Sequence, residues 1–230
     1  RPVIKKILVF SNGEKIGDGI IKLQLLDEIK KRLPNHKLYW ITDTGKTVYA
    51  GILRNIASKF IDVFYEQANL SPFFWQKISN KFNFNNEYFD YILDTQKSVL
   101  RTIALKRIRH NNFISGTANG LFSSKKIKYK LKDKKYILTY MFSLLDLIKK
   151  RNIHANYNIP IDPNIEKTVS KILSNKKNYF GIAPGAGEKE KIWPLDKFIK
   201  IRNLNRKKII NEFNKSKVKD KITIIKENDG

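Results

Sequence analysis

The sequence predicts an α/β fold in two parts, each built on parallel strands. Three observations carry this. Residues 6–33 read as an apolar strand, a glycine loop and an amphipathic helix, and a second apolar strand follows at 37–42, completing a β-α-β unit. The strand, small-residue loop and helix start recur from residue 179. A chain of 230 residues with 41% hydrophobic content is also long and apolar enough for one large or two smaller domains.

Lys6-Ile7-Leu8-Val9-Phe10 is apolar on both faces, the pattern of a strand buried in a parallel sheet. Ser11 to Gly19 is a loop with three glycines, and Ile20 to Leu33 is a helix with Ile21, Leu25, Leu26, Ile29 and Leu33 toward a core. Pro34-Asn35 stops it, and Lys37 to Thr42 is the next strand. Further strands are predicted at Lys59–Phe64, Tyr91–Asp94 and Asn112–Gly116, and a helix at Val99–Ile108. Residues 117–135 are polar and Lys-rich and read as a mobile insertion. Tyr136 to Ile148 carries an apolar helical stripe, read as core and not as a membrane span. Two prolines interrupt any helix at 156–163, so a linker is placed there, between a first domain at 1–160 and a second at 161–230. Asn164 caps a helix at Ile165–Leu173 in this reading. After the strand at Tyr179–Ile182, a helix begins near Pro194, since Pro suits the first helical position. Residues 202–230 are polar and basic, with a short helix at Lys207–Phe213 and a strand at Lys221–Ile225.

The chemistry is concentrated in two loops. Residues 182–194, Ile-Ala-Pro-Gly-Ala-Gly-Glu-Lys-Glu-Lys-Ile-Trp-Pro, join a strand to a helix start through small residues. Free backbone N–H groups at Gly185, Ala186 and Gly187, with the helix dipole behind them, make an anion site. Lys189 and Lys191 add positive charge, and a phosphate or diphosphate is the expected ligand. In the first loop, Asp18 sits where the chain enters a helix at the carboxyl end of a strand, where open parallel sheets bind ligands.

These segments, in this order, resemble the glycosyltransferase family 9 heptosyltransferases, which build the inner core of lipopolysaccharide. The resemblance rests on Ile16-Gly17-Asp18 with Pro34 after the helix, and on Phe89-Asp90-Tyr91-Ile92-Leu93-Asp94-Thr95-Gln96. It rests also on Pro184-Gly185-Ala186-Gly187 followed by Lys191-Ile192-Trp193-Pro194 and Phe198, and it covers roughly residues 4–201. It implies a GT-B-like protein: an N-terminal Rossmann-like acceptor domain and a second Rossmann-like domain for the nucleotide sugar. It implies a metal-independent, inverting transfer of a heptose or related sugar from an ADP-sugar to a lipopolysaccharide core or lipid A acceptor, with no cofactor. Asp18 matches the family's catalytic base and Lys191 the residue assigned to the leaving phosphate. Gly185 to Gly187 would hold that phosphate, and Gly17, Asp94 and Gln96 would contact the acceptor.

An inverting transfer needs a base for the acceptor hydroxyl and positive charge on the departing diphosphate, which is the chemistry these residue types supply. Structural alternatives stand beside each role. Asp18 also suits a cap for a helix starting at Ile20. Lys191 is one Lys among many, Asp94 and Gln96 suit a local turn, and Trp193 reads as packing. The chain departs from the family in having Gly187 where many members carry Ser or Thr, and Lys97 and Arg101 where Gly and Ser are common. Family members are also longer and carry a late Gly/Asp-Ser/Thr-Gly-x-x-His stretch that is not found after Ile201. The chain therefore reads as a fragment, holding the acceptor half and the first unit of the donor half, its second domain incomplete.

Lys and Arg number 46 against 21 Asp and Glu, a net charge of +25. Such charge raises nucleic acid as a partner. The Lys residues are spread over the chain with abundant Asn and Ile, which points first to compositional bias. A basic face held at an anionic membrane surface ranks second, and nucleic acid is an unlikely third. A non-catalytic basic phosphate- or nucleic-acid-binding protein is the competing function. The three His are scattered, there is no Cys, and no carboxylate cluster has metal-ligand spacing, so no metal is expected. Neither a signal peptide nor a transmembrane span is legible. The resemblance implies a cytoplasmic enzyme at the inner face of the inner membrane.

Overall fold

The computed structural model describes residues 4–126, 136–151, 163–173 and 192–202. The chain divides into two compact units, residues 1–163 and 164–230. The linker predicted at 156–163 lies almost wholly outside the described residues, as do 127–135 of the predicted insertion.

Unit 1 holds a five-stranded sheet: β1 (Lys5–Phe10), β2 (His36–Ile41), β3 (Val63–Tyr65), β4 (Phe89–Asp94) and β5 (His110–Ser115). Every pairing is parallel and the order is β3-β2-β1-β4-β5. β1 is therefore central, and its apolar run follows from that position. Ile7 and Val9 enter the core on one face, Leu8 and Phe10 enter the core on the other, and all four are fully buried. The helices α1 (Ile16–Arg32) and α4 (Ile137–Ile148) cover the first face with Trp40 and Tyr49. α3 (Val99–Lys106) and the segment around Ala68, Leu70 and Phe84 cover the second. α4 is thus a core helix, as the apolar stripe predicted. Among the described residues no helix is long and apolar enough to cross a membrane.

α1 differs from its predicted bounds in an informative way. It begins at Ile16, four residues earlier than the glycines suggested, so Gly17, Asp18 and Gly19 are helical. Gly19 is there because another segment presses on it. A Cβ at this position would lie 2.5 Å from Val48 Cγ2 and 3.0 Å from Leu53 Cδ1, while the Tyr49 hydroxyl donates to the Gly19 carbonyl at 2.7 Å. The glycine is required by this close approach, and a reading of helix propensity alone mistakes it for a loop residue. The buried face also differs from the predicted one. Leu25, Leu26, Ile29 and Leu33 are buried as predicted, but Ile21 is 39% exposed and Lys22 takes a buried place.

Smaller differences have local causes. β3 starts at Val63 and not Lys59, because Phe60 and Ile61 close a turn onto Ala57 and the Asp62 carboxylate accepts from Leu38 N and Lys30 Nζ, both at 2.7 Å. A four-residue helix α2 (Arg54–Ala57) and a 3₁₀ turn at Thr117–Gly120 carried no recognisable signal. The 3₁₀ turn places Ala118 and Asn119 in the left-handed region, at φ 50° and 57°, where glycine would have marked it. In unit 2, α5 (Pro163–Ile172) opens on Pro163, so Asn164 lies within the helix and does not cap it. α6 (Leu195–Arg202) follows Pro194, and Trp193 packs edge-on against Phe198 with ring centres 4.7 Å apart. The helix and strand predicted at 207–213 and 221–225 lie outside the described residues.

Candidate active site

The strand order creates one site by topology. The chain winds from β1 outward through β2 to β3, then returns to β4 on the other side of β1. The loops leaving β1 and β4 consequently diverge to opposite faces, the arrangement in which open parallel sheets form a ligand crevice at the strands' carboxyl ends. The sheet ladder continues into these loops: Ser11 N donates to Ile41 O at 3.2 Å and Thr95 N to Phe10 O at 3.1 Å. Both walls of the crevice are thus fixed to the sheet.

On the β1 side, Asn12 anchors the loop by accepting from Asp43 N at 3.1 Å and Thr44 N at 2.9 Å. Gly13 turns the backbone at φ +73°, a conformation glycine adopts without strain. The loop then enters α1, and Gly17 and Asp18 stand exposed in its first turn. A helix that starts at Ile16 cannot be capped by Asp18, so the capping alternative is corrected: Lys15 occupies the cap position. A Cβ on Gly17 would meet nothing within 4 Å. Unlike Gly19, Gly17 is not demanded by the chain's own packing.

Beneath this turn lies a buried polar cluster that sequence reading missed. Lys22 Nζ donates to Ser11 Oγ at 2.8 Å and to Glu14 Oε1 at 3.3 Å, with side-chain exposures of 5% for Lys22 and 0% for Glu14. Gln96 Nε2 donates to the same Ser11 Oγ at 3.4 Å, which links the two walls of the crevice.

On the β4 side, Asp94 is fully buried. Its Oδ2 accepts from Thr102 Oγ1 at 2.6 Å, Ser115 Oγ at 2.7 Å and Thr117 Oγ1 at 3.4 Å, and its Oδ1 accepts from Gln96 N at 3.0 Å. Of the two roles the sequence left open for Asp94, the geometry displays the local one. The enclosed carboxylate organises the β4 and β5 loops, and both of its oxygens are engaged within the fold. Gln96, half-buried at the crevice, keeps an accessible edge. The Lys97 ammonium lies over the Tyr140 ring, 4.6 Å from its centre, and Arg101 Nε bonds Asp43 Oδ2 at 3.0 Å, so both departures from the family pattern are engaged within the fold.

Burial pushes the Asp94 carboxyl above its ordinary 3.8, outweighing the hydrogen bonds from Thr102, Ser115, Gln96 and Thr117 that act the other way. The folded state therefore holds this proton more tightly than the unfolded chain. The contribution of Asp94 to stability is greatest below the unfolded value, falls as pH rises toward the raised folded value, and is level above it. Asp94→Asn should remove this dependence. In urea unfolding measured across acidic to neutral pH, parent stability minus variant stability should decline through that window and then flatten. A difference that rises with pH there would contradict this assignment.

The phosphate-loop residues Gly185, Ala186, Gly187 and the cations Lys189 and Lys191 lie outside the described residues. The structure thus brings together Gly17, Asp18, Asp94 and Gln96, with Ser11, Glu14 and Lys22 added. Among the described residues, no three His, Asp or Glu side chains converge.

The sheet order and its crevice define a Rossmann-like α/β unit, and the chain's fold is that of the GT-B-like glycosyltransferases. It is similar to a glycosyl transferase family 9 structure from Veillonella parvula DSM 2008, with a TM-score of 0.55 and 16% identity over 86% of this chain and 59% of that one. It is similar also to the E. coli heptosyltransferase WaaC with ADP, with a TM-score of 0.52 and 16% identity over 85% of this chain and 61% of the other. WaaC with ADP-2-deoxy-2-fluoro heptose gives a TM-score of 0.51 and 14% identity over 85% and 64%. The chain thus spans about 60% of the length of the structures it matches. No protein-family model matches the chain, and no curated protein matches it in sequence.

Proposed function

We propose that this chain belongs to an inverting glycosyltransferase that moves a heptose or related sugar from an ADP-sugar to a lipopolysaccharide core or lipid A acceptor. The observation that carries this reading is the first turn of α1. An exposed carboxylate, Asp18, stands at the mouth of the topological crevice, beside a glycine whose missing side chain leaves open space. The acceptor hydroxyl would sit there. Its oxygen bonds to the anomeric carbon, its proton passes to the Asp18 carboxylate, and the carbon–oxygen bond to the diphosphate breaks to release ADP. Gly17 and Gln96 would contact the acceptor. Lys191 and the backbone of Gly185 to Gly187 would neutralise the departing diphosphate. The reaction so written needs no metal. The WaaC structures with ADP and an ADP-sugar analogue share the fold and support a nucleotide sugar as donor. A lipid-borne acceptor places the protein at the inner face of the inner membrane, where its positive charge is favourable.

Calorimetric titration with ADP and ADP-heptose tests this, using the 230-residue chain and the protein encoded by the whole reading frame. Saturable binding of both ligands by the protein of the whole reading frame is expected. Binding of neither, with tight salt-dependent binding to DNA or RNA, would replace this reading with that of a non-catalytic basic binding protein.

A further inference from the structure

The segment between β3 and β4 carries a surface that the proposed reaction does not use. Residues 71–78 form a closed loop: Ser71 N donates to Ile78 O at 2.9 Å, and Gln76 N to Phe73 O at 3.2 Å. The Arg107 guanidinium, at the end of α3, clamps both feet by donating to Ser71 O at 2.6 Å and to Gln76 O. The Ser79 hydroxyl fixes the following turn, accepting from Lys81 N and Phe82 N, each at 3.1 Å. This well-tied loop holds three large aromatic side chains in solvent. Phe73 is 46% exposed, Phe74 84% and Trp75 67%. Phe73 stacks on Trp75 at 5.0 Å and Phe74 meets Trp75 edge-on at 4.8 Å, so the three form one compact apolar tip. Contiguous exposed aromatics on an ordered loop mark an interaction surface.

We propose that this loop is a membrane-docking wedge, which sets Phe73, Phe74 and Trp75 into the headgroup region of an anionic bilayer. Charge selects that partner. From Gln67 to Asn86 there is no acidic residue, while Lys77 is exposed next to the tip in sequence, Lys81 is exposed with its ammonium on the Glu66 carbonyl at 2.8 Å, and Arg107 lies at the base of the loop. Trp at the water–lipid boundary places its apolar ring in the interface and leaves its N–H hydrated. Aromatic insertion and attraction of Lys and Arg to anionic lipid act together, and either alone gives marginal binding. The ring arrangement disfavours single-stranded nucleic acid, which needs open aromatic faces for its bases, whereas Phe73 and Trp75 cover each other. This deepens the membrane-surface part of the proposed function. Its test contains no nucleotide sugar, so it stands or falls apart from the sugar-transfer chemistry.

Flotation of the 230-residue protein with phosphatidylcholine vesicles, with and without phosphatidylglycerol, measures the interaction. The parent should float with the anionic vesicles, and the F73S/F74S/W75S variant should lose about tenfold or more in partitioning. Lys77→Ser and Lys81→Ser should each cost about fivefold, on anionic vesicles alone. Trp75 emission, taken as the difference between parent and Trp75→Phe, should shift to the blue on binding. Should the triple variant fail to melt like the parent, Phe74→Ser alone, at the most exposed ring, carries the comparison. Equal flotation of parent and variants, no binding to anionic vesicles, or a variant that loses only single-stranded RNA binding would each overturn the proposal.

Discussion

Lys22→Met is expected to destabilise unit 1 by about 3–5 kcal/mol, the cost of removing one partner from a buried ion pair. Lys22 and Glu14 are almost completely withdrawn from water, and Ser11 Oγ shares the ammonium. Met fills similar volume, so packing changes little. What changes is that the Glu14 carboxylate stays enclosed with no cation. Its second oxygen, Oε2, already lacks a hydrogen-bond partner in the fold. Glu14→Gln in the same background removes the orphaned charge, so the double variant should regain about 2–3 kcal/mol of the loss, and the double-mutant cycle should show a favourable coupling between the two residues. Urea unfolding of parent, both single variants and the double variant supplies the four values. If Lys22→Met unfolds at the parent's denaturant concentration, the pair does not hold the loop. A second consequence is local: Ser11 loses its strongest donor and retains only the longer bond from Gln96, so the two walls of the crevice are more weakly joined.

That Lys22 matters was not legible in the sequence, and the reason is physical. In a chain with 46 Lys and Arg, a lysine on a helix is solvated by default. Its burial depends on Ser11 and Glu14, which approach only when the loop folds back over the first two turns of α1. The enclosure of Asp94 is non-local in the same way, since Thr102, Ser115 and Thr117 come from α3, β5 and the turn after it. By contrast, the strands were legible because each apolar run is its own signal: β1, β2 and β4 are buried on both faces and show no alternation. Asp18 was legible because strand, loop and helix are contiguous around it. Its exact setting was not, because Gly17 and Gly19 look identical in sequence. One is pressed by Val48 and Leu53 and the other faces open space. The strand order, which creates the crevice, is a property of the whole sheet and has no local mark.

Asp18→Asn should lower sugar transfer by the whole-reading-frame protein by about 10²–10⁴-fold, the usual contribution of a positioned general base. Asn keeps the size and polarity of the side chain and removes its capacity to take a proton. ADP binding should stay within about twofold of the parent, because the lost interaction belongs to the transition state and not to the nucleotide. The loss should fall on kcat. The fold should survive, since Asp18 is exposed and forms no part of the core. Gly17→Ala is the companion. The added methyl meets nothing in the chain, and alanine favours a helix over glycine by about 0.5–1 kcal/mol. This variant should therefore melt slightly higher than the parent and yet transfer sugar more slowly, with KM for the acceptor raised. A purely structural role for this turn predicts the opposite pairing: a more stable Gly17→Ala protein with unchanged kinetics, and an Asp18→Asn protein whose defect is in folding. Transfer kinetics and thermal melting on the same two proteins separate these cases. An Asp18→Asn enzyme with parental kcat would leave the crevice without its base and sink the assignment, whatever the affinity for ADP.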